Sequence, residues 1–250
     1  MNTSYDLQLN ELDIYKLHPT LLPFVGEHYE TYRVLQIGES HYINQLPDTE
    51  KYNIEYFDKW WNESCQEVLD DSPGWADTRA VVTNYINEPR SGNSYTIFTN
   101  FIKSFSKVVL EKEISSISME DKSLYNYISF MNFFQMPSLY EGTKFWDSLE
   151  ISAKKISKPE LAGAMWDKAA RVSVETIDKV IDILNPRAII FTSISAGNAY
   201  KDNGGKCQAE KIIFTSHPGY PFTWWKELKS LNGKTGKEVL EQELSRIYKQ

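Results

Sequence analysis

The run Val34-Leu35-Gln36-Ile37-Gly38 constrains this chain more than any other stretch. Val34, Leu35 and Ile37 are apolar and favour extended backbone, and the run stops on Gly38 before Glu39, Ser40, His41 and Tyr42. A short apolar run ending on Gly reads as a buried strand of a parallel sheet that leads into a tight loop. In open α/β sheets, ligands sit just beyond the carboxyl ends of the strands. These four residues are therefore expected at the mouth of such a site, the alternative being an ordinary solvated strand-to-loop turn.

Three more apolar runs follow the same pattern, around residues 125–134, 188–192 and 211–216. Helical periodicity separates them. A helix is expected from His18-Pro19 to about residue 29, and others over 56–69, 76–86, 94–110, 166–184, 194–200 and 222–231. A last helix should be opened by Thr235 with Glu238 as a capping box. Residues 1–15 read as an arm or short helix, and 138–160 as loop. The Ser72-Pro73-Gly74-Trp75 stretch stops the second helix, Ser94 or Asn93 caps the fourth, and Asn185-Pro186 ends the longest. Strands alternating with helices predict a three-layer α/β/α fold with a central four-stranded, mostly parallel sheet. One domain spanning 1–250 is expected, with an inserted helical segment at about 43–90.

Composition excludes some function classes. No apolar run approaches membrane-spanning length. The N-terminus lacks a basic stretch followed by an apolar one, and two Cys make neither a disulfide framework nor a four-thiolate metal site, so a reduced cytoplasmic compartment is expected. With 27 basic against 34 acidic residues the net charge is −7, which argues against strong non-specific binding to nucleic acid but leaves room for a local basic groove. The four His show no metal-ligand spacing, and no phosphate-binding glycine loop, nucleophile elbow or HExxH is present, so neither metal nor cofactor is expected.

Right-handed crossovers place all parallel strand ends on one edge. Three such ends carry polar residues: Gly38 to Tyr42, Asn132 with Phe133, Phe134 and Gln135, and His217-Pro218-Gly219-Tyr220. The Asn132 amide can read a nucleobase edge with two hydrogen bonds, or simply complete a turn. His217 can donate to an oxygen that gains charge, or be a satisfied half-buried His. Glu39 can orient water or support a cationic sugar, or be a surface carboxylate.

In this order the motifs resemble the uracil-DNA glycosylase superfamily. Gly38-Glu39-Ser40-His41-Tyr42 is similar to that family's first motif, GQDPY or GEAPG. The stretch ISFMNFFQMP with Asn132 looks like its base-reading strand end, and His217-Pro218-Gly219-Tyr220-Pro221 like its HPSPL. The helix ending LNPRAIIF is similar to the one that leads into the family's third strand. The likeness covers about residues 32–230. It implies hydrolysis of the N-glycosidic bond of a flipped base. Asn132 would pair with the base and His217 would donate to the pyrimidine oxygen. The loop of Gly38, Glu39, Ser40, His41 and Tyr42 would position water and sugar. Tyr95 or Phe98 would stack on the base, and Tyr220 or Phe222 would fill the vacated stack beside Gly219. Some residues depart from the pattern: Ser40 stands where GQDPY has its water-positioning Asp, His41 replaces the Pro, and Gly219 replaces the Ser. The iron–sulfur cluster of some members needs four Cys, which this chain lacks.

Glu39 and His217 are thus the expected catalytic pair, and DNA or a nucleobase-containing ligand the expected partner. Lys103, Lys107, Lys154, Lys155 and Lys158 offer a local track for it. Two alternatives stand beside this reading. One is an inactive nucleic-acid or nucleotide-binding module of the same fold. The other is an unrelated α/β hydrolase of a small polar metabolite with Glu39 and His41 as its acid/base pair.

Overall fold

The computed structural model describes residues 1–43, 52–68, 76–88, 95–140 and 142–249. Five strands form one sheet: β1 (Phe24–Val25), β2 (Val34–Gly38), β3 (Ile128–Asn132), β4 (Ala188–Phe191) and β5 (Ile212–Phe214), in the order β1-β3-β2-β4-β5. The pairs β3–β2, β2–β4 and β4–β5 are parallel, and only β1 runs antiparallel, against β3. The sheet is therefore mixed and five-stranded rather than four-stranded.

The additional strand lies in the segment expected to be helical from residue 18 to 29. Pro23 has no N–H to donate to a helix and breaks it. What forms is a 3-10 turn at Pro19–Leu21, then β1, then a second 3-10 turn at Tyr29–Thr31. Gly26 closes the join: a Cβ there would lie 2.1 Å from the Asn126 carbonyl oxygen.

Side-chain alternation along the strands divides the core in two. Leu35, Ile37, Met131, Ile189 and Phe191 face the helices Phe145–Lys155, Glu160–Leu184 and Ile194–Asp202. Val34, Phe130, Ile190 and Ile213 face Thr78–Asn87, Thr96–Val109 and Gly236–Tyr248. The result is an α/β/α sandwich. The long helix ends as expected, with Asn185 in the left-handed region at φ 43° ahead of Pro186. The last helix begins with the Thr235–Glu238 capping box. Residues 138–160 are not all loop, because Phe145, Leu149 and Ala153 line the buried side of the helix Phe145–Lys155. The helix expected at 222–231 is instead a single turn, Pro221–Trp224, and a 3-10 turn, Lys229–Leu231. The Ser72–Trp75 stop and the Asn93 or Ser94 cap fall outside the described residues.

The aromatic stretch expected as one helix over 56–69 is a 3-10 helix, Tyr56–Trp61, followed by a short α-helix, Cys65–Val68. Ser64 and Glu67 bond each other at the break and start the second piece. Its role is internal. Trp60 is fully buried, stacks on His18 with ring centroids 3.9 Å apart, and donates from Nε1 to the Gln135 carbonyl at 2.8 Å. The His18 Nε2 lies 2.7 Å from the Trp60 carbonyl oxygen. Among the described residues no helix is long and apolar enough to cross a membrane.

Trp60 therefore joins the N-terminal segment to the loop after β3. Trp60→Phe, which keeps a ring but leaves the Gln135 carbonyl without its donor, is expected to cost about 1–3 kcal/mol. Trp60→Ala is expected to cost about 3–5 kcal/mol. Urea denaturation measures both; losses no larger than those of an exposed substitution would contradict the assignment.

Candidate functional site at the strand tips

Strand order reverses between β2 and β4, the position at which open α/β sheets hold ligands. Glu39 leaves β2 at this point and Ser193 follows β4. The Ser193 hydroxyl donates to Glu39 Oε2 at 2.7 Å, and the Phe145 N–H donates to Oε1 at 2.9 Å. Phe145 is the first residue of its helix, so this N–H has no partner within the helix. Ser193 also caps the helix Ile194–Asp202 by accepting from the Ala196 N–H. One carboxylate thus lies between two helix starts, whose partial positive charge favours an anion.

Gly38 pairs with Asn132 across the β2–β3 ladder. A Cβ on Gly38 would meet Asn132 Oδ1 at 2.3 Å and the Phe130 ring at 3.3 Å. Gly38 is what lets the Asn132 amide lie across the tip of β2. Among the described residues no hydrogen bond is made to that amide, whereas the Asn132 carbonyl accepts from Gln135 Nε2 at 2.7 Å.

The loop after β5 leans on the helix Thr96–Val109. Asn100 Nδ2 donates to the Pro218 carbonyl at 2.7 Å, and the Cβ position of Gly219 lies 3.4 Å from the Ile97 nitrogen. The same helix packs Phe98 on Phe130, centroids 5.1 Å apart. Phe130 precedes Asn132 by two residues and shares its face of the sheet. The His217 loop and Phe130 thus border one helix start from two sides, and the Asn132 amide lies beside Phe130 over Gly38. The Glu39 carboxylate turns to the other face, toward Phe145 and Ser193.

His217 is half-buried, and its protonation is written in its bonding. The Gly219 N–H donates to Nδ1 at 3.1 Å, so Nδ1 accepts and the imidazole proton sits on Nε2. Burial acts in the same direction and pushes the imidazole down to about 4. Gly219 is needed for this contact, because a Cβ there would come within 2.9 Å of the ring. Near neutral pH the group is an uncharged N–H donor.

The other expected site residues lie as follows. His41 is buried, with Nε2 2.9 Å from the Thr78 hydroxyl, and faces the protein interior. Phe98 is buried among Tyr85, Tyr125 and Phe130, whereas Tyr95 beside it is half-buried. Ser40 and Tyr42 are half-buried, and Tyr42 bridges to Ser138. Tyr220 is exposed. Three contributors went unread in the sequence: Ser193, the Phe145 N–H, and a buried pair beneath the tips in which the Tyr125 hydroxyl donates to Gln36 Oε1 at 2.6 Å. The Phe145 N–H was legible in principle, since Phe145, Leu149 and Ala153 have helical spacing. A groove of about 550 Å³ beside the long helix, lined by Leu12, Lys16, Trp61 and Arg171, includes none of the strand-tip residues. Among the described residues no group of three or more His, Cys, Asp or Glu stands ready to hold a metal ion.

The chain matches no protein-family model, no curated protein and no solved structure. Fold and strand tips alone define its class, an α/β/α protein with polar groups gathered at the switch point of its sheet.

A buried neutral His stabilises the fold at pH values above its unfolded pKa of about 6.5, and that contribution is lost as pH falls toward its folded value. His18 and His217 are both pushed down to about 4 by burial. Unfolding free energy should therefore fall as pH drops from about 6.5 to about 4, and His217→Gln should flatten part of that slope. An identical slope in the variant, measured by denaturation across this range, would contradict the assignment.

Proposed function

We propose that this protein hydrolyses the N-glycosidic bond of a base in DNA, as a divergent uracil-DNA-glycosylase-like enzyme of base-excision repair acting in the cytoplasm. The observation that carries the reading is the Asn132 amide, unbonded among the described residues and lying beside Phe130, whose ring packs on the same helix that holds the loop of a His kept neutral with its proton on Nε2. An amide offers a donor and an acceptor on one plane, the complement of a uracil edge. A neutral imidazole N–H stabilises a carbonyl oxygen that gains charge as the base departs.

The roles follow from the chemistry of the bond. The C1′–N bond breaks and its electron pair remains with the base, whose oxygen accepts from His217 Nε2. Water adds at C1′, and the proton it loses ends on the base. Glu39, whose carboxylate turns to the face of Phe145 and Ser193, does not touch the base and supports the cationic sugar through an intervening water. Each of its oxygens accepts one protein bond and keeps a lone pair for water. Ser40, in the place of the family's water-positioning Asp, is a weak base, so charge stabilisation of the leaving base carries most of the reaction.

A second reading, a module that holds a nucleobase without chemistry, is favoured by the same two bonds, which engage Glu39 in fixing helix starts.

Base release from a uracil-containing oligonucleotide separates the readings. The wild type is expected to release uracil, with a loss of about 10²–10³-fold in His217→Ala and a comparable loss in Asn132→Ala. In Asn132→Asp the carboxylate only accepts, so preference should move toward a base with a donor edge such as cytosine, with little change in melting temperature. Binding without release would select the module. Equal melting loss with no change of preference would make Asn132 a structural residue.

A further inference from the structure

The chain has 34 aromatic residues, and among the described ones only Tyr220, Phe222 and Trp225 are exposed, at 55%, 61% and 54%. All three lie within six residues of one another, directly after the His217 loop. The segment is anchored from beneath. Trp224 is fully buried, and the Ser216 hydroxyl at the tip of β5 donates to the Thr223 carbonyl at 2.8 Å. The exposed rings are therefore presented by a fixed backbone.

Cations accompany them. Lys226 Nζ lies 4.9 Å from the Phe222 centroid, and Lys237 Nζ 5.1 Å from that of Trp225. Residues 220–237 hold Lys226, Lys229, Lys234 and Lys237 against Glu227 alone, in a chain of net charge −7. Lys237 also pairs with Glu241 at 3.6 Å. Lysines beside exposed aromatic rings, on an otherwise acidic protein, complement a polyanion that carries planar rings.

We infer that the surface formed by Phe222, Trp225, Lys226, Lys229 and Lys237 seats single-stranded DNA, stacking the nucleotides that flank the base held at Asn132 and His217. The inference rests on the proposed function for its choice of DNA. Single strands fit better than duplex because the faces of duplex bases are covered by their neighbours, whereas unpaired bases stack freely on aromatic side chains.

Fluorescence anisotropy with a labelled single strand free of uracil tests this apart from catalysis. The wild type is expected to bind it about tenfold or more tighter than the matching duplex at low salt. Trp225→Ala should weaken binding about 5- to 100-fold, the range for loss of one stacked base, and Trp225→Phe should retain most of it. Lys229→Ala should lower the slope of log affinity against log salt by about 0.7. Unchanged affinity in a folded Trp225→Ala, equal duplex binding, or no binding at low salt would each overturn the inference. Single-strand binding lost in Trp225→Ala without any base release by the wild type would keep this surface and sink the proposed hydrolysis. Base release with Trp225-independent binding would do the reverse.

Discussion

The Glu39 carboxylate makes the interaction on which the crevice at the switch point depends. Its oxygens take the first N–H of the helix Phe145–Lys155 and the hydroxyl of Ser193, which caps Ile194–Asp202. The Glu39 backbone carbonyl accepts from the Phe134 N–H, which extends the β2–β3 pairing beyond the strands. Two strand tips and two helix starts thus meet at one residue. Hydrogen bonds to a charged group are worth about 1.5–3 kcal/mol each, so the arrangement is stabilising as well as directing. It also fixes the crevice at the switch point, because the helices on either side begin where this carboxylate holds them.

Two polar side chains beneath the tips, Gln36 and Thr192, are likewise bonded. Gln36 lies in the middle of the central strand and is fully buried, with its oxygen bonded by Tyr125. Thr192 donates to the Ile37 carbonyl at 3.0 Å, where β2 and β4 part. Such buried pairs set the register of the central strands, since slippage by one residue would leave Gln36 among apolar side chains. With register fixed, Gly38 stands opposite Asn132, and the missing Cβ admits the amide. The approach of His217 to its own loop depends in the same way on Gly219.

Much of this was legible in the chain. The four longer strands stand out because each is a dense apolar run closed by a turn residue, and the longest helix because its apolar positions repeat over many turns. The edge strand β1 escaped because two residues carry no periodicity, and Leu21, Leu22 and Phe24 mimic a helical face. The helix Phe145–Lys155 was obscured by its cluster of lysines, which are solvated on its outer side. At the site, Glu39, Asn132 and His217 were visible because each follows an apolar strand. Of their partners, Ser193 was not, being an ordinary helix cap, and the Phe145 N–H was legible only indirectly, through the helical spacing of Phe145, Leu149 and Ala153. Burial of His41 and Phe98 is set by long-range packing against Thr78 and Phe130, which no local pattern encodes.

In the proposed reaction the Asn132 amide and the His217 imidazole receive one ligand together. Titration of free uracil into the protein, followed by NMR of the Asn132 side-chain amide and the His217 ring nitrogens, tests this most directly. Both sets of resonances should shift with a single dissociation constant, with Nε2 remaining the protonated nitrogen. Movement of one without the other, or of neither at saturating uracil, would contradict it.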